Sequence, residues 1–138
     1  MKSFPFYLQS NVKDCGPTCL RMIAEYYGKK FDFSKMANIS KINHKGSSLL
    51  DIMNAAKKIG IESKGLAVDI TILKSLNLPV ILHWDTDHFV ILFKIKKDIY
   101  FIADPAIGIL RLGISDFLGH WVNPGNNERM GVVLALYP

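Results

Sequence analysis

At Gly60 the hydrophobic pattern of the chain changes its period, and that change restricts the fold to one class. Before it, Leu20, Ile23, Ala24 and Tyr27 recur at helical spacing, and so do Leu49, Ile52, Met53, Ala56 and Ile59. Beyond it the apolar residues come in short runs, VILHW after Pro79 and HFVILFK from His88, separated by Asp-containing turns. Runs of that length and make-up are strands. Helices followed by antiparallel strands predict an α+β fold, with an N-terminal helical half packed on a C-terminal antiparallel sheet arranged as a meander. A first helix starts directly after Cys15 and stops at Gly28. A second covers residues 31–39 with Ser34 as its N-cap, and a third covers 49–59 between Ser47-Ser48 and Gly60. Strands are expected at 61–68, 80–84, 88–94, 100–103, 108–113 and 131–136, with short helices at 69–73 and 114–118. The chain has 138 residues, 49% of them hydrophobic, which suffices for a core, and it shows no repeat or linker. A single domain over residues 1–138 follows.

Composition removes several function classes. No run of about eighteen apolar residues is present to cross a membrane, and the first ten residues lack the apolar stretch and cleavage site of a secretory signal. Cys15 and Cys19 alone imply a reducing compartment rather than a disulfide framework, and they lack the further ligands of a zinc site. The net charge is +5, yet Lys29-Lys30, Lys57-Lys58 and Lys94, Lys96 and Lys97 sit at the ends of elements. They are solvated faces and caps, so no nucleic-acid partner is expected.

The chemistry starts at Cys15. A thiol at a helix N-terminus feels the positive end of the helix dipole, which favours the nucleophilic thiolate. Gln9, six positions upstream (15 − 9), can point its amide N–H₂ at the same place. A nucleophilic thiolate still needs a base, and the base needs an orienting partner. His44 lies in a Lys/Asn loop and His120 beside Trp121, and both are expected on the surface. His83 and His88 compete. His83, inside an apolar strand, suits a core or pocket wall, whereas His88 opens a strand after the Asp85-Thr86-Asp87 turn, at a sheet end where a cleft can form. Asp104, made extended by Pro105, closes the next strand at that same edge. Cys15, His88 and Asp104 then form nucleophile, base and orienter. A buried cysteine, a turn histidine and an Asx turn would explain the same spacing. Cys19 reads more simply as a small buried side chain than as a resolving thiol. Met22, Met36, Leu49 and Met53 suit either core packing or an adaptable peptide-binding groove.

Three stretches settle more than spacing does. QSNVKDCGPTCLRMIAEYYG (9–28) resembles the cysteine signature of the double-glycine leader peptidases, HFVILFKI (88–95) their histidine strand and IADPAIG (102–108) their Asp-Pro-Ala-x-Gly motif. These are the N-terminal cysteine-protease domains of bacterial ABC transporters that mature and export bacteriocins and related peptides. The resemblance runs from about Pro5 to the last residues. It implies a papain-like fold, with Cys15 as nucleophile, His88 as base, Asp104 as orienter and Gln9 as oxyanion donor. Asp14 belongs to the signature as well. The 123–129 loop is longer than the family pattern leads one to expect.

The resemblance further implies cleavage after a Gly-Gly pair in a precursor's leader peptide, without metal or organic cofactor. An amphipathic leader helix would lie in a groove on the helical half. The partners implied are that precursor and the transmembrane and ATPase domains of a parent transporter, which would follow Pro138. The domain would work in the cytoplasm, tethered to the inner face of the bacterial membrane. A leader-docking module that does not cut, or a papain-like hydrolase with another substrate, would carry much of the same sequence.

Overall fold

Six antiparallel strands form one sheet, with the helices of the first half on one side and two short helices of the second half on the other. The computed structural model describes residues 3–40, 46–122 and 129–138. In chain order the elements are α1 (Cys15–Tyr26), α2 (Phe33–Ser40), α3 (Leu49–Lys58), β1 (Glu62–Val68), α4 (Ile70–Ser75), β2 (Val80–Trp84), β3 (His88–Lys96), β4 (Ile99–Asp104), β5 (Gly108–Leu112), α5 (Ile114–Trp121) and β6 (Gly131–Tyr137). The sheet order is β1-β6-β2-β3-β4-β5. Strands β2 to β5 are the expected meander. The last strand departs from it: β6 returns after α5 and inserts between β1 and β2, in register with the whole length of β1.

The alternation of β3 assigns the two faces. Phe89 and Ile91 turn to the helical side, where they meet Cys19, Leu20, Ile23, Met36 and Ile52. Val90 and Leu92 turn the other way, onto Trp84, Tyr100, Phe117 and Trp121. Each fully buried Leu, Ile or Met contributes roughly 1.5–3 kcal/mol, so the sheet is held from both sides. This two-sided burial explains why VILHW is apolar almost throughout instead of alternating.

Local signals close the helices. Gly28 and Gly60 take φ of +89° and +86°, conformations open to glycine. Beyond them the N–H groups of Lys29 and Ile61 reach back to the carbonyls of Ala24 and Ala56. Ser48 and Asp51 form a reciprocal capping box at the start of α3. At α2 the cap differs from expectation. Asp32 accepts the Lys35 N–H at 2.8 Å, so the helix starts at Phe33, and Ser34 lies inside it. Helix α5 is longer than expected and runs to Trp121, whose indole N–H donates to the Val132 carbonyl at 3.1 Å.

Two of the residues considered for a peptide groove are corrected here. Met22 and Met36 are fully buried, on the inward faces of α1 and α2. Helical spacing cannot distinguish a groove from a core, and here the sheet covers that face of α1 while α1 and α3 cover that of α2. Leu49 and Met53 are half-buried on α3. His44 and residues 123–128 of the polar loop lie outside the described residues.

Candidate active site

Helix α1 begins at Cys15 itself, which is 7% exposed. Asp14 takes the N-cap position without a side-chain cap, so its carboxylate stands buried beside the positive end of the helix. Pro17 occupies the first turn, where its missing N–H costs nothing. A Cβ on Gly16 would lie 3.0 Å from Cβ of Ser47 and 3.2 Å from the Ile52 side chain. The bare glycine lets α3 come up against the start of α1 and form one wall of the site.

The sheet supplies the other wall. His88 opens β3, pairs with Trp84 in register, and its Nε2 lies 2.7 Å from Oδ1 of Asp104 at the end of β4. That oxygen also accepts the Ala106 N–H at 2.9 Å, which fixes the carboxylate in the turn after Asp104. Because Asp104 occupies Nε2, Nδ1 is the ring nitrogen left for Cys15. Burial pulls the His88 pKa down, but hydrogen bonding to Asp104 and Cys15, and the negative charge of both, outweigh it and push it up to about 10. At neutral pH the imidazole holds its proton. A buried imidazolium between a sulfur and a carboxylate can both stabilise a thiolate and donate a proton.

Gln9 comes to the same place from the N-terminal strap. Its backbone N–H donates to the Pro105 carbonyl at 2.7 Å, joining the strap to the turn that follows Asp104. Its Nε2 donates to the Asn11 carbonyl at 2.8 Å, and that carbonyl also accepts the Asp14 N–H at 3.1 Å. The amide of Gln9 is thereby held next to the N-terminus of α1. Cys15, His88, Asp104 and Gln9, singled out in the sequence, thus converge.

The remaining candidates sort themselves. His83 is half-buried in β2 with its ring against Phe89, 5.5 Å between centroids. Cys19 is fully buried and donates to the Phe89 carbonyl at 3.4 Å. Burial, aided by the charges of Cys15 and Asp104, pushes its thiol pKa well up, as suits a small core side chain. His120 is exposed as expected, but it is not idle. It stacks on Trp84 at 4.9 Å and bonds Oδ1 of Asp85 at 2.7 Å, while its carbonyl accepts the Asp85 N–H at 2.9 Å. This clamps a turn in which Asp85 and Thr86 take φ of 50° and 68°, just before His88. The sequence offered no signal for it, since Asp85 and His120 lie 35 positions apart (120 − 85). Among the described residues no group of three His, Cys, Asp or Glu is placed to hold a metal ion, and no helix is long and apolar enough to cross a membrane.

Away from the site, Phe4, Tyr26, Phe93, Phe101 and Ile109 line an open cavity of about 480 Å³ that Lys94 and Arg111 border. Phe4 stacks on Phe93 at 4.7 Å, and both cations lie over Phe101.

Comparison with known proteins shows what the chain as a whole is similar to. The model of the Peptidase C39 family matches residues 3–124. The Colicin V secretion/processing ATP-binding protein CvaB of Escherichia coli is 34% identical over 134 residues, 97% of this chain and 18% of that protein. The Lactococcin-G-processing and transport ATP-binding protein LagD of Lactococcus lactis subsp. lactis is 34% identical over 119 residues, 82% of this chain and 17% of its own length. The chain therefore spans under a fifth of either relative. A double glycine motif protease from an AMS/PCAT transporter, solved in complex with the leader peptide, superposes with a TM-score of 0.87 at 28% identity, over 97% of this chain and 91% of that one. The peptidase domain of Streptococcus ComA gives 0.86 at 26% identity, over 99% of both chains.

Proposed function

This chain belongs to the Peptidase C39 family, a cysteine peptidase with the papain-like α+β fold, and from that premise we propose that it removes leader peptides by cutting after a Gly-Gly pair. The observation that carries the reading is His88, held by Asp104 at 2.7 Å at the end of the sheet that faces Cys15 at the start of α1. The Cys15 thiolate attacks the carbonyl carbon of the second glycine. Nε2 of Gln9 and the Cys15 backbone N–H hold the oxyanion. His88 passes its proton to the leaving amine as the C–N bond breaks, leaving a thioester on Cys15. Water, deprotonated by His88, then releases the leader as a carboxylate. The steps require neither metal nor organic cofactor. Glycine suits the two residues before the cut because it takes the least space beside the buried Cys15 and permits backbone angles other residues avoid.

Two glycines supply little binding energy, so affinity must come from further upstream in the leader. We assign its docking to the aromatic cavity at the far end of α1; half-buried Leu49 and Met53 lie over Gly65 of β1, at the other edge of the sheet, and take no part in it. Helix α1 has 12 residues and ends beside that cavity at Tyr26, about 17 Å from Cys15 at a rise of ~1.5 Å per residue. An extended chain covers that span in roughly five residues. The leader's apolar helix face should therefore begin about five residues before the cut, and Lys94 and Arg111 favour acidic residues beside it. CvaB and LagD are named for secretion or transport with processing. By extension, this domain works on the cytoplasmic side of a bacterial membrane, joined to the transmembrane and ATPase parts of a transporter.

Mass spectrometry of a synthetic leader ending in Gly-Gly-Ala, after incubation with the domain, tests the reading. Cleavage after the second glycine, lost in Cys15→Ala with binding retained, is the expected result. Binding without cleavage by the unaltered protein would make it a docking module. Equal cleavage of a leader in which both glycines are alanine would make it a hydrolase of other substrates.

A further inference from the structure

We propose that Asn11 is a positioning residue that aims the oxyanion donor Gln9. The inference rests on the reading of Gln9 given above and concerns a residue no motif singled out. Residues 10–13, which join Gln9 to α1, are all exposed, so packing does not fix their path. Asn11 fixes it by hydrogen bonds at both its ends. Oδ1 of its side chain accepts the Lys13 N–H at 2.9 Å, an Asx turn that folds the segment back on itself. Its carbonyl, set by that turn, accepts both the Asp14 N–H at 3.1 Å and Nε2 of Gln9 at 2.8 Å.

The chemistry of the amide makes this useful. A primary amide has two N–H donors about one planar nitrogen. With one of them held by the Asn11 carbonyl, the plane of the Gln9 amide is set and the second N–H remains for the oxyanion. The Pro105 carbonyl anchors the Gln9 backbone, so Asn11 governs the side chain's orientation alone. The donor is then in place before substrate arrives, which is where electrostatic stabilisation of a transition state is most effective. A misplacement of the order of 1 Å is enough to cost a large part of such an effect.

A double-mutant cycle on hydrolysis of the synthetic Gly-Gly leader tests this. Asn11→Ala removes the Asx turn from an exposed residue and should lower kcat about tenfold while KM stays within about twofold, the mark of an interaction made in the transition state. Asn11→Asp keeps the acceptor and should restore most of the rate. In the Gln9→Ala background, itself down by roughly a hundred- to a thousandfold in kcat, Asn11→Ala should change kcat by less than about twofold. Loss of rate that persists in that background would overturn the proposal, because Asn11 would then act on something other than Gln9. An Asn11→Ala enzyme with normal kcat would overturn it as well. A Gln9→Ala enzyme with normal kcat is a separate outcome, one that removes Gln9 from the oxyanion site and the proposal with it.

Discussion

Two histidine–aspartate pairs in this molecule share one contact distance but differ in the ring nitrogen used, Nε2 of His88 and Nδ1 of His120, and in their surroundings. His88 and Asp104 stand 2.7 Å apart with side chains 18% and 7% exposed, and His120 and Asp85 stand 2.7 Å apart with side chains 45% and 50% exposed. The first pair closes two strands at the end of the sheet, against the start of α1. The second joins a hairpin turn to the end of α5. Burial makes the difference in what a contact of this length can do. Water screens an exposed pair to about 1 kcal/mol or less, whereas a buried carboxylate and a neighbouring sulfur raise the His88 pKa to about 10. A short His–Asp distance is therefore not enough to make a catalytic base.

Substituting each histidine in turn tests this most directly. His88→Ala should lower kcat/KM on the order of 10⁴-fold, since members of a coupled triad fail as a unit. His120→Ala should shift stability by no more than about 1 kcal/mol and turnover by no more than about fivefold. Steady-state kinetics with matching circular dichroism spectra would decide. Comparable losses in both variants would remove burial as the distinguishing factor.

The aspartates give a smaller contrast. Asp104→Asn keeps an oxygen to orient the ring but takes away the charge. Turnover should fall about a hundredfold, and the alkaline limb of kcat/KM, expected near pH 10 from His88, should move to lower pH. Asp85→Asn should leave that limb where it is. A pH–rate profile unchanged by Asp104→Asn would take Asp104 out of the site.

The smallest effect is on stability. The folded-state pKa of His88 lies above its ordinary value of 6.5, so the protonated ring binds its surroundings more strongly in the folded state. That contribution is complete below about pH 6.5 and is lost as pH rises through about 10. Thermal melts between pH 6 and 10 should show Tm falling with pH in the wild type and a flatter course in His88→Ala. Parallel curves for the two proteins would mean that the pair stabilises nothing.

Alkylation contrasts the two thiols of α1. Iodoacetamide should label Cys15 well before Cys19, which is fully buried and bonded to Phe89. Peptide mapping that found Cys19 labelled first would reverse the assignment.

The sequence by itself determined what depends on neighbours along the chain. The period change at Gly60, the glycine stops of α1 and α3, the Ser48 cap and the cysteine at a helix start are set by residues within a turn or two of one another. A linear reading reaches such features. The choice of cap at α2 shows the limit of that reach, because Asp32 and Ser34 are both good acceptors two positions apart. Spacing left His83 and His88 in competition and the motif resemblance implied His88; the physical reason for that choice lies in the tertiary structure. The register that sets Trp84 against His88 and Ile91 against Ala103 brings His88 diagonally onto Asp104 and faces His83 to Phe89. It also placed β6 between β1 and β2, buried Met22 and Met36, and brought Gln9 to Pro105 across 96 positions (105 − 9). In each case the alternatives have the same local pattern. Side-chain periodicity records which face of an element is apolar but not what covers that face, and the covering comes from segments far away in the chain.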